Sequence, residues 1–153
     1  MIGVNNMIHV TMGEKFTSKH DFRETCFGIY EQNNQLLLVK KKEQYSLVGG
    51  GMENGETTQQ CLAREFKEEA GYEITEQKEI ALIDCFWLAG GKWPMESLVH
   101  VFVVNVNLSN QQLPTEEGHT TKFVNANEAM NLLPLPYHKK ALELYFNQKN
   151  NVN

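Results

Sequence analysis

Three glutamates, Glu65, Glu68 and Glu69, follow Arg64 in a segment from Gly50 to Tyr72 that opens on glycines and closes on Gly71. At about 100° per helical residue they fall near 0°, −60° and +40°, inside one arc of a single helix face. Like charges at these spacings destabilise a helix by roughly 0.2–0.5 kcal/mol per pair, so something must offset them. Arg64 can pair with Glu68 one turn on, but one arginine cannot neutralise three acids. A hard divalent cation can, and oxygen donors without His or Cys on that face favour magnesium or manganese over zinc. The glycines ahead of the helix, Gly49, Gly50, Gly51 and Gly55, form a bent loop of the kind that brings backbone groups close to a phosphate. Carboxylate face and glycine loop together suggest a metal and phosphate site.

The helix itself is predicted from its ends and its stripe. Thr57 can cap free N–H groups while Gln60, three residues on, reaches back. Leu62, Ala63, Phe66 and Ala70 lie between about 60° and 160°, an apolar stripe that can pack on a sheet. Gly71 stops the run as a left-handed terminal residue would.

The spacing Gly50, five residues, Glu56, seven residues, Arg64-Glu65, two residues, Glu68-Glu69, one residue, Gly71 resembles the Nudix box. Every charged and glycine position is filled. Phe66 and Tyr72 stand where the family usually has aliphatic residues, and Val48 stands where a proline is common; these departures touch packing and not the candidate ligands. The resemblance implies an α/β (α+β) fold, an α/β/α sandwich with a mixed β-sheet between helices. It also implies a Mg2+- or Mn2+-dependent, MutT-like hydrolase acting on a nucleoside diphosphate linked to a further group X. Glu65, Glu68 and Glu69 would then hold the ion, with the Gly49 carbonyl as an added ligand. Glu56 and Arg64 would position the loop and the catalytic carboxylates, and Gly50 and Gly51 would lie against substrate.

In this family the general base comes either from the helix, here Glu65, or from a later loop, here Glu116 or Glu117, of which Glu117 is preferred. Arg23, just ahead of a strand, is a candidate phosphate contact, although a plain surface arginine fits the sequence as well. Phe86, Trp87 and Trp93 could stack a nucleobase or simply be core residues. The leading expectation is hydrolysis of a nucleoside triphosphate, including oxidised ones such as 8-oxo-dGTP, to monophosphate and pyrophosphate. The alternatives are an ADP-ribose or nucleotide-sugar pyrophosphatase, and a nucleotide-sensing module without catalysis. Relatives of the last kind usually lack a box glutamate, and none is missing here.

The whole chain sets the frame. Its 153 residues are one domain's worth of sequence. A net charge of −5, with dispersed lysines and arginines, argues against polymeric nucleic acid as a partner; a small nucleotide is the expected ligand. Cys26, Cys61 and Cys85 lack zinc or disulfide spacing and read as small buried hydrophobes. Five scattered histidines suggest no ligand set. Neither a signal peptide nor an apolar run of ~18 residues is present, so the expectation is a cytoplasmic protein off the membrane.

Residues 1–20 read as an extension or edge strand of the same domain, with weak alternation from Met7 to Met12; they could supply a homodimer contact. Residues 21–148 form the Nudix domain and 149–153 a disordered tail. Within the domain, Thr25 to Glu31 and Gln35 to Lys40 flank Asn33-Asn34 as a hairpin, and Tyr45 to Val48 leads into the glycine loop. Tyr72 to Thr75 and Ile80 to Leu88 read as separate strands, with a turn from Gly90 through Pro94. Leu98 to Val106 is nearly continuous apolar sequence, a central strand buried on both faces. After a polar loop from Gln111 to His119 comes a short strand at Lys122 to Val124. Asn125 caps a helix that ends before Pro134, and a last helix runs from Tyr137 to Gln148.

Overall fold

A computed structural model describes residues 7–15, 19–114 and 117–150. Its strands are β1 (Ile8–Met12), β2 (Asp21–Ile29), β3 (Glu31–Gln32), β4 (Gln35–Lys41), β5 (Gln44–Gly51), β6 (Ile74–Ala89), β7 (Trp93–Val106) and β8 (His119–Val124). The helices are α1 (Thr58–Ala70), α2 (Ala126–Leu132) and α3 (Pro136–Asn150). The sheet runs β1-β6-β7-β2-β5-β4-β3, with β8 also paired to β4. It is mixed: β1 with β6 and β2 with β7 are parallel, and the other pairs are antiparallel.

Successive residues of a strand point to opposite faces, and the central strands are apolar on both. Cys26, Tyr30, Leu37, Val39, Val48, Phe102 and Val104 meet Cys61, Leu62, Phe66 and Ala70 of α1. Their alternates Phe27, Ile29, Leu36, Leu38, Leu47, Val99 and Val101 meet Ala129, Leu133, Ala141, Leu142 and Tyr145 of the α2–α3 side. The α/β/α sandwich expected from the box is therefore present, with β7 inside the sheet. All three cysteines are free and buried.

Several expectations change in detail. Ile74 to Ala89 is one strand, with register shifts between Ile74 and Glu76 and between Glu79 and Ala81, and Tyr72-Glu73 stay outside it. Pro94 belongs to β7 opposite Leu88; the turn itself holds Gly90 and Gly91, both at positive φ. Ala63, counted in the apolar stripe, is exposed, and Cys61 is buried in its stead. Asn33 and Asn34, with φ 52° and 61°, form the two-residue turn that joins β3 to β4. β1 lies at the sheet edge; the rest of the expectation for residues 1–20 falls partly outside the described residues. α3 runs through Asn150, two residues into the stretch read as a tail, and 151–153 are outside the described residues.

Candidate active site

The site forms where β5 hands the chain to α1. Thr57 caps the helix as expected: its hydroxyl accepts from the Gln60 amide at 3.1 Å, and the Gln60 side chain accepts from the Thr57 amide at 3.0 Å. Gly71 closes the helix at φ 71°, in the left-handed region. Burying Leu62, Phe66 and Ala70 against the sheet fixes the rotation of α1, and that rotation turns Glu65 and Glu69 inward as well.

Two glycines let the backbone approach these acids. A Cβ on Gly49 would collide with the Cys26 carbonyl oxygen, and one on Gly50 would sit 2.7 Å from Glu65 Oε1. With no side chain in the way, the Gly49 amide donates to Glu69 Oε1 at 2.9 Å.

Arg64 organises the outer half of the cluster. Its Nε and Nη2 donate to the two oxygens of Glu56 at 2.6 and 3.0 Å. Its Nη1 donates to Glu65 Oε1 at 2.9 Å and Glu68 Oε2 at 3.1 Å, and Nη2 reaches the Gly51 carbonyl at 3.1 Å. One guanidinium thus ties the glycine loop to the helix acids, using the fork geometry that lysine lacks. The Arg64 hydrogen bonds hold Glu56's carboxyl at about 2, well below the usual range.

The inner half contains a residue that sequence reasoning missed. The Lys41 ammonium ion-pairs with Glu69 Oε2 and donates to the Gly49 carbonyl at 3.3 Å. His119, opposite Lys41 in the β4–β8 register, places Nδ1 3.9 Å from the same Glu69 oxygen. The Glu69 side chain is only 1% exposed. Burial pushes its carboxyl up to about 7, against the pull of Lys41 and the Gly49 amide.

Beside this cluster lies a cavity of ≈ 170 Å³ whose lining includes Arg23, Thr25, Phe27, Lys41, Tyr137 and His138. Arg23 lies over the loop, its Nη2 3.1 Å from where a Gly51 Cβ would stand. The Thr25 hydroxyl and both His138 ring nitrogens are buried without a hydrogen-bond partner. Burial, then the nearby Lys41, lowers the His138 pKa to about 3, so its imidazole is neutral. Its ring packs edge-on against Phe27 and Tyr137, with centroids 4.3 and 4.8 Å away.

The expected residues are therefore largely brought together: Gly49, Gly50, Gly51, Glu56, Arg64, Glu65, Glu68, Glu69 and Arg23. Glu117 is not; it stands exposed in the turn before β8, and no hydrogen bond or ion pair joins it to the acids of α1. Glu116 lies outside the described residues. The three aromatics considered for stacking are also elsewhere. Trp87 donates to Ser97 and packs on Tyr137, Phe86 lies against His20, and Trp93 is 68% exposed.

The donor set suits a hard divalent cation: three carboxylates and a carbonyl, all oxygen, with two of the acids buried. Among the described residues no three acidic, His or Cys side chains converge closely enough to ligate an ion. Arg64 bridges Glu65 and Glu68, and Lys41 holds Glu69. The chemistry of the donors fits a metal, and full ligation requires these two cations to loosen their hold.

Comparison with known proteins gives the family and the fold. The NUDIX domain family model matches residues 22–147, and the chain belongs to the Nudix hydrolase family. It is 43% identical over 49 residues to an ADP-ribose pyrophosphatase of Methanocaldococcus jannaschii, a match covering 29% of each chain. It is 32% identical over 76 residues to the NAD-capped RNA hydrolase NudC of Vibrio vulnificus, covering 46% of this chain and 29% of that one. These matches span less than a third of the curated relatives' length. A NUDIX hydrolase from Nitrosomonas europaea shares the fold with a TM-score of 0.65 at 17% identity, over 83% of this chain and 90% of that one. Among the described residues no helix is long and apolar enough to cross a membrane.

Proposed function

We propose that this protein hydrolyses a phosphoanhydride bond of a nucleoside diphosphate linked to X, with Mg2+ or Mn2+ as cofactor. The leading substrate class is a nucleoside triphosphate, oxidised forms included, cleaved to monophosphate and pyrophosphate. The observation that carries the reading is the complete Arg64 and Gly49 network, which gathers every acid of the box around one glycine loop.

A bound divalent ion would neutralise phosphate oxygens and lower the pKa of an attacking water. The protein's own groups supply the rest. Glu65, Glu68 and Glu69 with the Gly49 carbonyl would hold the ion, and Arg64 with Glu56 keeps the loop and helix in register. Arg23, at the cavity, offers charge-assisted hydrogen bonds to phosphate, beside the backbone of Gly50 and Gly51. The proton of the attacking water goes to Glu65, or to Glu117 if the turn before β8 closes over substrate. The cavity is smaller than the ~300–1,000 Å³ of drug-sized ligand sites, which suits one flat heteroaromatic group. Phe27 and Tyr137 provide apolar walls, and the neutral His138 and Thr25 provide unsatisfied polar atoms for a base edge.

A second reading is an ADP-ribose or nucleotide-sugar pyrophosphatase, favoured by the name of the M. jannaschii relative. A sensor without catalysis is disfavoured by the complete set of acids. Incubation with Mg2+ and a nucleotide panel, products being separated by anion exchange, tests the choice. Monophosphate plus pyrophosphate supports the first reading, AMP plus ribose 5-phosphate from ADP-ribose the second. No turnover of any nucleotide contradicts both.

A further inference from the structure

The cation now held by Glu69 is Lys41, and its place is informative. The ammonium contacts Glu69 Oε2 and the Gly49 carbonyl together, two of the oxygens that the metal reading above assigns to the ion. We propose that Lys41 is a built-in competitor of the divalent cation: it occupies these oxygens until an ion displaces it, and so sets the metal concentration at which the site loads. The inference rests on the metal reading of the helix acids.

The argument is one of space and charge. Mg2+ requires oxygen ligands at about 2.0–2.1 Å in near-octahedral order, and an ammonium on the same lone pairs occupies that volume. Two cations on one buried carboxylate also repel each other strongly where water does not screen them. Glu69 cannot turn away, because its side chain is 1% exposed and its other oxygen is fixed by the Gly49 amide. Lys41 can: it ends β4, is one-third exposed, and lies on the cavity through which a long flexible stem can swing. The mobile partner therefore yields to the ion. Lys41 is a positioning residue in this scheme, needed to keep a buried carboxylate compensated before metal arrives.

The test is Mn2+ binding to the full chain without nucleotide, followed by calorimetry or by the EPR signal of free Mn2+. Lys41→Met should bind Mn2+ more tightly, on the order of tenfold if the ammonium leaves about a tenth of the sites open in the wild type, and should melt lower without metal. Lys40→Met, whose ammonium lies over Tyr45 instead, should bind Mn2+ as the wild type does. Should Lys41→Met not fold, the wild type still reports: saturating Mn2+ should speed reductive methylation of Lys41 relative to Lys40, read by peptide mass spectrometry. Equal or weaker Mn2+ affinity in Lys41→Met, or unchanged Lys41 labelling, overturns the competition while leaving the metal site standing. Failure of the wild type to bind Mn2+ at all overturns the metal reading and this inference with it.

Discussion

Arg64 and Glu56 face each other as a fork on a fork, Nε to Oε2 at 2.6 Å and Nη2 to Oε1 at 3.0 Å. Glu56 sits in the loop, Arg64 on the helix, and the same guanidinium continues to Glu65 and Glu68. Loop position and acid position are thus one mechanical unit.

Glu56→Gln should therefore cost both stability and rate. Hydrogen bonds to charged groups contribute roughly 1.5–3 kcal/mol; with partial exposure and a neutral amide still bonding, a loss on the order of 1–2 kcal/mol is expected. The folded carboxyl, at about 2, lies below the unfolded value of roughly 4.3. Its contribution is present above the unfolded pKa and is lost as pH falls toward 2. Thermal melts of wild type and variant should differ at pH 7 and approach each other in acid; a constant gap would speak against the pairing.

Glu69→Gln and Glu65→Gln should each lower kcat roughly a thousandfold, since Lewis-acid stabilisation is worth several kcal/mol and each 1.4 kcal/mol is tenfold. Charge repulsion alone suggests that such variants melt higher without metal. Arg64 engages Glu65, so Glu65→Gln should melt no higher than wild type. For Glu69, burial outweighs the pull of Lys41 and raises the carboxyl to about 7, above the unfolded value of roughly 4.3, so its ionised form disfavours the fold. Glu69→Gln should melt as high as wild type or higher at about pH 8, with the gap closing toward about pH 4. Circular dichroism melts paired with steady-state rates check both halves.

His138 predicts a pH dependence of its own. Its folded pKa of about 3 lies below the unfolded value near 6.5, so the unfolded chain binds more protons between them. Stability should fall as pH drops through that window, with a slope of up to about 1.4 kcal/mol per pH unit from this group. His138→Phe should flatten the slope of urea-derived stability between pH 6.5 and 4. An unaltered slope would mean that His138 is not held neutral.

Glu117→Gln separates the two candidate bases. The side chain is exposed, so stability should stay within about 0.5 kcal/mol of wild type. If the loop supplies the base, kcat falls with little change in KM, as for a group acting in the transition state. A wild-type kcat in this variant, in Glu116→Gln and in the double variant assigns the base to Glu65.

Most of this site could be read locally. Glu65, Glu68 and Glu69 share a face because of the helical period, and Thr57, Gln60 and Gly71 set the helix ends by contacts within a few residues. Lys41, His119, Thr25 and His138 carry no such signature. Lys41 and His119 reach Glu69 only through the register of β4 with β8, and His138 reaches the cavity only because α3 packs on Phe27 of β2. The long β6–β7 hairpin was hidden for a different reason. Its ends, Thr75 to Glu79 and Trp93 to Glu96, are polar or half-buried, so they lack the apolar run that marks Val99 to Val104. The aromatics were ambiguous because stacking on a base and packing in a core select the same side chains.

The central claim is metal-dependent cleavage of a nucleotide phosphoanhydride by the acids of α1. The direct measurement is 31P NMR of a nucleotide panel incubated with the protein, in Mg2+ and after exhaustive removal of Mg2+ and Mn2+, beside Glu69→Gln. Appearance of pyrophosphate or a monophosphate from at least one nucleotide is expected, lost on metal removal and slowed roughly a thousandfold in the variant. Equal rates with and without metal, or near wild-type turnover by Glu69→Gln, would contradict the account.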